Sequence, residues 1–143
     1  HRDLHSFPTR RSSDLSLIFL NRARSRLTLV SAGHPAAVKV GADGAVETLA
    51  CEGDVLGVFE SVQCGQIECA VAPGDRLYLY TDGLIERFGP TARGREQGFA
   101  ALLAACRAAG AAPLTEAVAA VSAVLLPEGG PVQDDVVLMG IEV

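Results

Sequence analysis

The sequence is poor in positive charge. Twelve Lys and Arg stand against seventeen Asp and Glu among 143 residues, giving a net charge of -5 and an isoelectric point near 5.1. No Lys/Arg stripe runs through it, so the electrostatic footprint of a nucleic-acid binder is missing and no nucleic-acid partner is expected. No apolar run reaches the roughly 18 residues of a membrane span; the stretch from Ala117 to Leu126 falls short and contains a Ser. No signal-peptide pattern opens the chain. These absences predict a cytoplasmic chain with no membrane contact from this segment. The four cysteines, Cys51, Cys64, Cys69 and Cys106, form no CxxC pair, and no His stands at zinc-finger spacing from them. They read as scattered small apolar residues of a reducing compartment. Internal repeats and low-complexity linkers are also absent.

What is present suits one domain or one large piece of one. Hydrophobic residues make up 49% and charged residues 20%, enough to bury a core. Residues 1–15 (HRDLHSFPTRRSSDL) differ from the rest in composition and lack helical or strand periodicity. HSFPTRRSSDL resembles the conceptual translation of a sequencing-library adapter, with a native basic tail as the alternative. The expected organisation is therefore a non-native or disordered segment over 1–15 and a structured domain over 16–143.

Within 16–143, SLIFLN (16–21) and RLTLV (26–30) predict strands. Segments 36–40 and 45–49 flank Asp43-Gly44, a strong hairpin signal because Gly tolerates the positive φ of the turn. Residues 65–71 alternate, Pro73-Gly74 breaks the pattern, and RLYLY (76–80) is the most strand-like stretch. Phe99, Leu102, Leu103 and Cys106 then share one helical face within 96–109, ended by Gly110. Pro113 stands where a first-turn proline would, and Leu114, Val118, Val121 and Leu125 mark a second helix, stopped by Pro127 and Gly129-Gly130. DVVLMGIEV (135–143) predicts a closing strand. The order predicts an α+β fold with helices packed on a mostly antiparallel sheet.

Acidic residues stand at two predicted strand ends: Asp82, just after RLYLY, and the pair Asp134-Asp135, at the mouth of the last strand. If those strands are neighbours, the carboxylates converge on one sheet edge. Mg²⁺ and Mn²⁺ take oxygen ligands and keep several waters, and a pair of such ions can hold a phosphate and generate a nucleophile. Plain alternatives stay open for each residue. Asp82-Gly83 would serve equally as a hairpin tip before LIERF, and Asp134-Asp135 as a solvated turn. Glu86, four residues after Asp82, shares a face with it only if a helical turn follows. His34, in Gly33-His34-Pro35, is either a turn histidine bonded to backbone or a residue facing the same site.

Four motifs in register narrow the choice: AGHP (32–35), LG (56–57), PGDRLYLYTDGLIE (73–86) and DDVVLMGIEV (134–143). Together they resemble the C-terminal half of SpoIIE/RsbU-type PPM serine/threonine protein phosphatases, over residues 16–143. The resemblance implies stacked, mainly antiparallel sheets flanked by helices, the PPM sandwich, here truncated on its N-terminal side. It implies two Mn²⁺ or Mg²⁺ ions ligated by Asp82 and Asp134, with Gly83 allowing close backbone approach and Glu86 helping to bind a further, weaker ion. His34 stands where more distant relatives place an acidic residue, and is carried as a supporting residue. Asp135 matches a non-ligating partner that orients the site. The family's metal-bridging Asp, in a GDVxGHG-like motif, has no counterpart in this sequence, so the chain alone is expected to be inactive. The implied activity is hydrolysis, by a metal-activated water, of phosphoserine or phosphothreonine on a bacterial anti-anti-sigma (STAS-type) protein. Upstream regions leave room for a homodimer. Two other readings are a non-catalytic pseudophosphatase that binds its partner and a different two-metal phosphoesterase such as a nuclease, the latter disfavoured by the acidic charge.

Overall fold

Alternating β-branched and leucine-rich segments bury one face each, and in this chain they do so against one another. The computed structural model describes residues 13–89, 91–110, 112–126 and 135–143. Its strands are β1 (Leu15–Leu20), β2 (Arg26–Ala32), β3 (Ala37–Val40), β4 (Val46–Leu49), β5 (Gly65–Ala70), β6 (Arg76–Tyr80) and β7 (Leu138–Glu142). Two antiparallel sheets result, one ordered β1-β2-β5 and the other β4-β3-β6-β7. The sheets stack face to face. Leu27 and Leu29 of the first and Ala37, Leu49, Leu77 and Leu79 of the second form one buried cluster, with Ile18, Ile67, Cys69 and Ile141 packed on it.

The outer face of the second sheet carries helices α1 (Ala92–Ala108) and α2 (Leu114–Leu125). Val38, Val40, Tyr78 and Tyr80 meet Leu102, Cys106, Ala117, Val121 and Leu125 in a second buried cluster. All five residues of β6 are buried. Its leucines face the other sheet and its tyrosines face the helices, which explains the continuously apolar RLYLY. Each such side chain contributes about 1.5–3 kcal/mol by leaving water. The α+β sandwich expected from the sequence is therefore the observed fold.

Arg76 is the charged exception in that strand. It is 8% exposed. Its Nε donates to Glu142 Oε2 at 2.7 Å, and its two Nη atoms donate to the carbonyls of Ala109 (3.4 Å) and Ala112 (2.6 Å). One guanidinium thus ties the start of β6 to the end of β7 and to the turn that closes α1, where the Ala109 carbonyl also accepts from the Ala112 N–H.

Local details depart from the sequence reading in instructive ways. The Asp43-Gly44 hairpin forms, with Gly44 at φ 82. Helix α1 begins at Ala92, four residues before the predicted 96. Thr91 caps it by accepting from the Gly94 N–H at 3.1 Å. No large apolar residue marks that first turn, because Gly94 and Gly98 make its buried contacts. A Cβ at Gly98 would collide with the Ile85 carbonyl. Asp82-Gly83, offered in one reading as a hairpin tip before LIERF (84–88), instead opens two single 3-10 turns, Asp82–Leu84 and Glu86–Phe88. Pro113 is the N-cap of α2 rather than its first residue. The predicted stop signals Pro127 and Gly129-Gly130 lie outside the described residues. At the other end, β1 starts at Leu15, and Ser13 exchanges backbone hydrogen bonds with Leu56 (3.1 and 2.8 Å). Leu15, the last residue of the stretch expected to be non-native, thus opens β1, while Ser13 forms an isolated bridge outside the strands.

Candidate functional site

Strands β6 and β7 run antiparallel and adjacent, with Tyr80 opposite Leu138. The C-terminal end of β6 and the N-terminal end of β7 therefore meet at one edge of the sheet. Asp82 leaves that edge on one side and Asp135 on the other, and both are exposed. Asp134 lies outside the described residues, one peptide bond before Asp135. The condition set by the sequence, that the two strands be neighbours, is met.

Asp82 is held by its own turn. Its backbone carbonyl accepts from the Ile85 N–H (2.9 Å), and its Oδ1 accepts from the Gly83 N–H (2.9 Å). Its other carboxylate oxygen has no hydrogen-bond partner among the described residues. Gly83 is buried beneath it. Glu86 follows on the next turn, half-buried, with Oε1 3.5 Å from Arg95 Nη1. This ion pair draws Glu86 toward α1.

His34 approaches from the other sheet. Gly33, at φ 74, makes the turn that delivers it, and a Cβ there would strike Val55. The His34 side chain is mostly buried. It lines, with Tyr80, Thr81, Val137 and Met139, a cavity of about 230 Å³. Its Nδ1 is 3.4 Å from Asp14 Oδ2 but out of line for a hydrogen bond, so this buried nitrogen has no hydrogen-bond partner. The backbone-bonded turn histidine offered by the sequence is thus not observed at Nδ1. The ring shares a cavity wall with the residue preceding Asp82.

Thr81 is the residue that sequence reasoning passed over. Its hydroxyl accepts from the Val137 N–H and donates to the Asp135 carbonyl, both at 2.9 Å. A threonine between a strand end and a candidate acidic ligand was the available signal.

Among the described residues no three His, Cys, Asp or Glu side chains cluster closely enough to hold a metal. The donor chemistry at the β6/β7 edge nevertheless suits a hard divalent cation. It offers the exposed Asp82 carboxylate, with an oxygen that has no partner among the described residues, at the strand end that Asp135 also flanks. Such ions need few protein oxygens and complete their shells with water.

Two stacked antiparallel sheets, helices on one outer face and an Asp-bearing end of the paired strands β6 and β7 match the architecture of a PPM-type (PP2C-like) phosphatase domain. The sequence pattern of the Stage II sporulation protein E (SpoIIE) family matches residues 1–143, and the chain belongs to that family. Solved structures agree. The RsbU and RsbW domains of a Mycobacterium tuberculosis protein are 26% identical with a TM-score of 0.72, covering 86% of this chain and 34% of that one. The phosphatase domain of the cell fate determinant SpoIIE from Bacillus subtilis, presoaked with Mn, is 12% identical with a TM-score of 0.70, covering 92% and 56%. The SiaA PP2C domain of Pseudomonas aeruginosa is 23% identical with a TM-score of 0.70, covering 91% and 51%. The chain thus spans between about a third and just over half of the length of these structures. No curated protein matches it. No described helix is long and apolar enough to cross a membrane.

Proposed function

We propose that this chain supplies the C-terminal half of the active site of a divalent-metal-dependent protein-serine/threonine phosphatase. The observation that supports the reading is the β6/β7 pairing, which brings the exposed Asp82 and Asp135 to the same end of two neighbouring strands. Asp82 and Asp134 would hold Mn²⁺ or Mg²⁺ through carboxylate oxygens, and Gly83 through the backbone close to Asp82. Glu86 would contribute to a weaker ion only after exchanging its Arg95 partner. When bound, the cations activate a water for attack on phosphorus and neutralise the developing phosphate charge. The residues of this chain do the positioning. The 3-10 turn holds the Asp82 carboxylate, Asp135 would orient the site, and His34 lines the cavity beside Thr81.

The substrate that family membership favours is a phosphorylated STAS-type anti-anti-sigma protein in the bacterial cytoplasm. Taken alone, the chain turns over little, since the motif GDVxGHG, which would bring a further bridging carboxylate, is absent from its sequence. The test uses the chain joined to an upstream segment carrying that motif. Cleavage of a phosphoserine peptide is measured with and without Mn²⁺, beside a cyclic dinucleotide and DNA. Mn²⁺-dependent release of phosphate from the peptide alone is expected. Cleavage of the cyclic dinucleotide or DNA in its place would overturn the assignment.

A further inference from the structure

The ladder between β6 and β7 does not end as an ordinary antiparallel ladder would. Residues 81 and 137 follow the Tyr80–Leu138 pair in register, and a regular continuation would have them exchange two backbone hydrogen bonds. Only one forms, from the Thr81 N–H to the Val137 carbonyl at 3.1 Å. The Thr81 carbonyl has turned away to accept from the Leu84 N–H at 3.0 Å, because the chain enters the 3-10 turn that presents Asp82. The Val137 N–H is left without its ladder acceptor, and the Thr81 hydroxyl takes that place at 2.9 Å. The same hydroxyl spends its proton on the Asp135 carbonyl, also at 2.9 Å.

We propose, on the basis of the phosphatase reading, that Thr81 is the positioning residue of the metal site. Its side chain couples the turn bearing Asp82 to the backbone of Asp135 and Val137 at the start of β7, and so sets how Asp82 stands relative to Asp135. The role needs a hydroxyl, because a single atom must accept from one backbone group and donate to another. It also explains how the turn and the strand mouth coexist. The backbone geometry that presents Asp82 breaks the ladder, and the residue immediately before Asp82 repairs it.

The test compares the wild-type chain with Thr81→Val, Thr81→Ala and Thr81→Ser by amide-resolved NMR, with far-UV circular dichroism as the folding control. Thr81→Val keeps the shape and lacks the hydroxyl; Thr81→Ala serves if the valine variant fails to fold. Two quantities are read. One is hydrogen exchange at the Val137 amide without metal. The other is the Mn²⁺ concentration that broadens signals around Asp82 and Asp135, a readout sensitive to weak binding and independent of turnover. Expected is about tenfold faster exchange and about tenfold weaker Mn²⁺ binding in the hydroxyl-free variants, with Thr81→Ser close to wild type. Wild-type Mn²⁺ affinity in a folded hydroxyl-free variant overturns the proposal, as does a Thr81→Ser variant as impaired as Thr81→Val. A wild-type chain showing no localised Mn²⁺ effect overturns the metal reading itself and this role with it. That failure is distinguishable because it appears before any substitution is made.

Discussion

Tyr80 of β6 stands opposite Leu138 of β7, and this one pairing decides where the acidic residues fall. Strand register has a period of two, so a one-residue slip would turn every side chain of β7 to the other face. The pairing is secured at its far end by the Arg76–Glu142 hydrogen bond and at its near end by Thr81. The carboxylate-bearing edge is thus an extension of a core strand, and the site inherits the rigidity of the sheet.

Asp82→Asn tests that edge directly. The side chain is exposed and makes one local hydrogen bond, which the amide oxygen of Asn can still accept. Stability should therefore change by no more than about 0.5 kcal/mol. Mn²⁺ binding in this chain, and turnover in a chain that carries the upstream motif, should be lost. Thermal unfolding and Mn²⁺ titration separate the two effects. A fully active Asp82→Asn enzyme would contradict the assigned role.

Gly98→Ala tests how the turn bearing Asp82 is backed. Helix α1 lies so close to Ile85 that an added methyl meets the Ile85 carbonyl, which is backbone and cannot swing aside. Alanine normally favours a helix over glycine by roughly 1 kcal/mol. Here the clash should reverse the sign, with a net loss of about 1–3 kcal/mol. Denaturant unfolding with an unchanged slope would report it. A stabilised variant would mean that α1 is free to move off the turn.

Arg76→Ala should be among the more damaging single changes. It removes three hydrogen bonds from a mostly buried guanidinium and leaves the Ala109 and Ala112 carbonyls and Glu142 without it. Glu142 remains partly solvated, so the cost is set by lost charge-assisted hydrogen bonds rather than a stranded buried charge. About 2–3 kcal/mol is expected. Arg76→Lys should recover only part of this, since an ammonium cannot span the same fork. Equal stability of Arg76→Lys and wild type would show that only the charge matters.

The strands were legible because their apolar residues alternate. RLYLY (76–80) was readable to the residue, since a strand buried on both faces has no polar interruption. The start of α1 was not readable, because its first buried contacts are made by glycines, which leave no hydrophobic signal. Acidic residues at two strand ends were visible in the sequence. That the strands are neighbours was only a condition there, because pairing between segments some 60 residues apart is set by the whole sheet and not by local pattern. Thr81 was hidden for a related reason. Its place between a strand end and an acidic residue was the one signal, and the turned carbonyl that gives its hydroxyl two backbone partners shows only in three dimensions.

Alkaline pH should weaken the fold through Cys106 and Tyr80. Burial pushes the Cys106 thiol from about 9.0 up to about 12, and burial likewise, with the neighbouring Cys106 adding to it, raises the Tyr80 hydroxyl from about 10 to about 12. Both groups are neutral when protonated. As pH rises past the ordinary values, the unfolded chain releases these protons while the folded chain retains them. The unfolded state then binds fewer protons, so stability falls with rising pH. The stabilisation is complete below about pH 9 and is lost progressively toward pH 12. Urea unfolding at pH 8, 9.5 and 10.5 should show the decline, and Cys106→Ala should flatten its lower part. The same burial makes a kinetic distinction at pH 8, because the thiolate is the reactive form. An aromatic disulfide reagent should modify exposed Cys64 quickly and Cys106 only on unfolding. Native labelling of Cys106 at the rate of Cys64 would show that α1 opens from the sheet without global unfolding, and that the packing of the helices on Tyr78 and Tyr80 is looser than the structure describes.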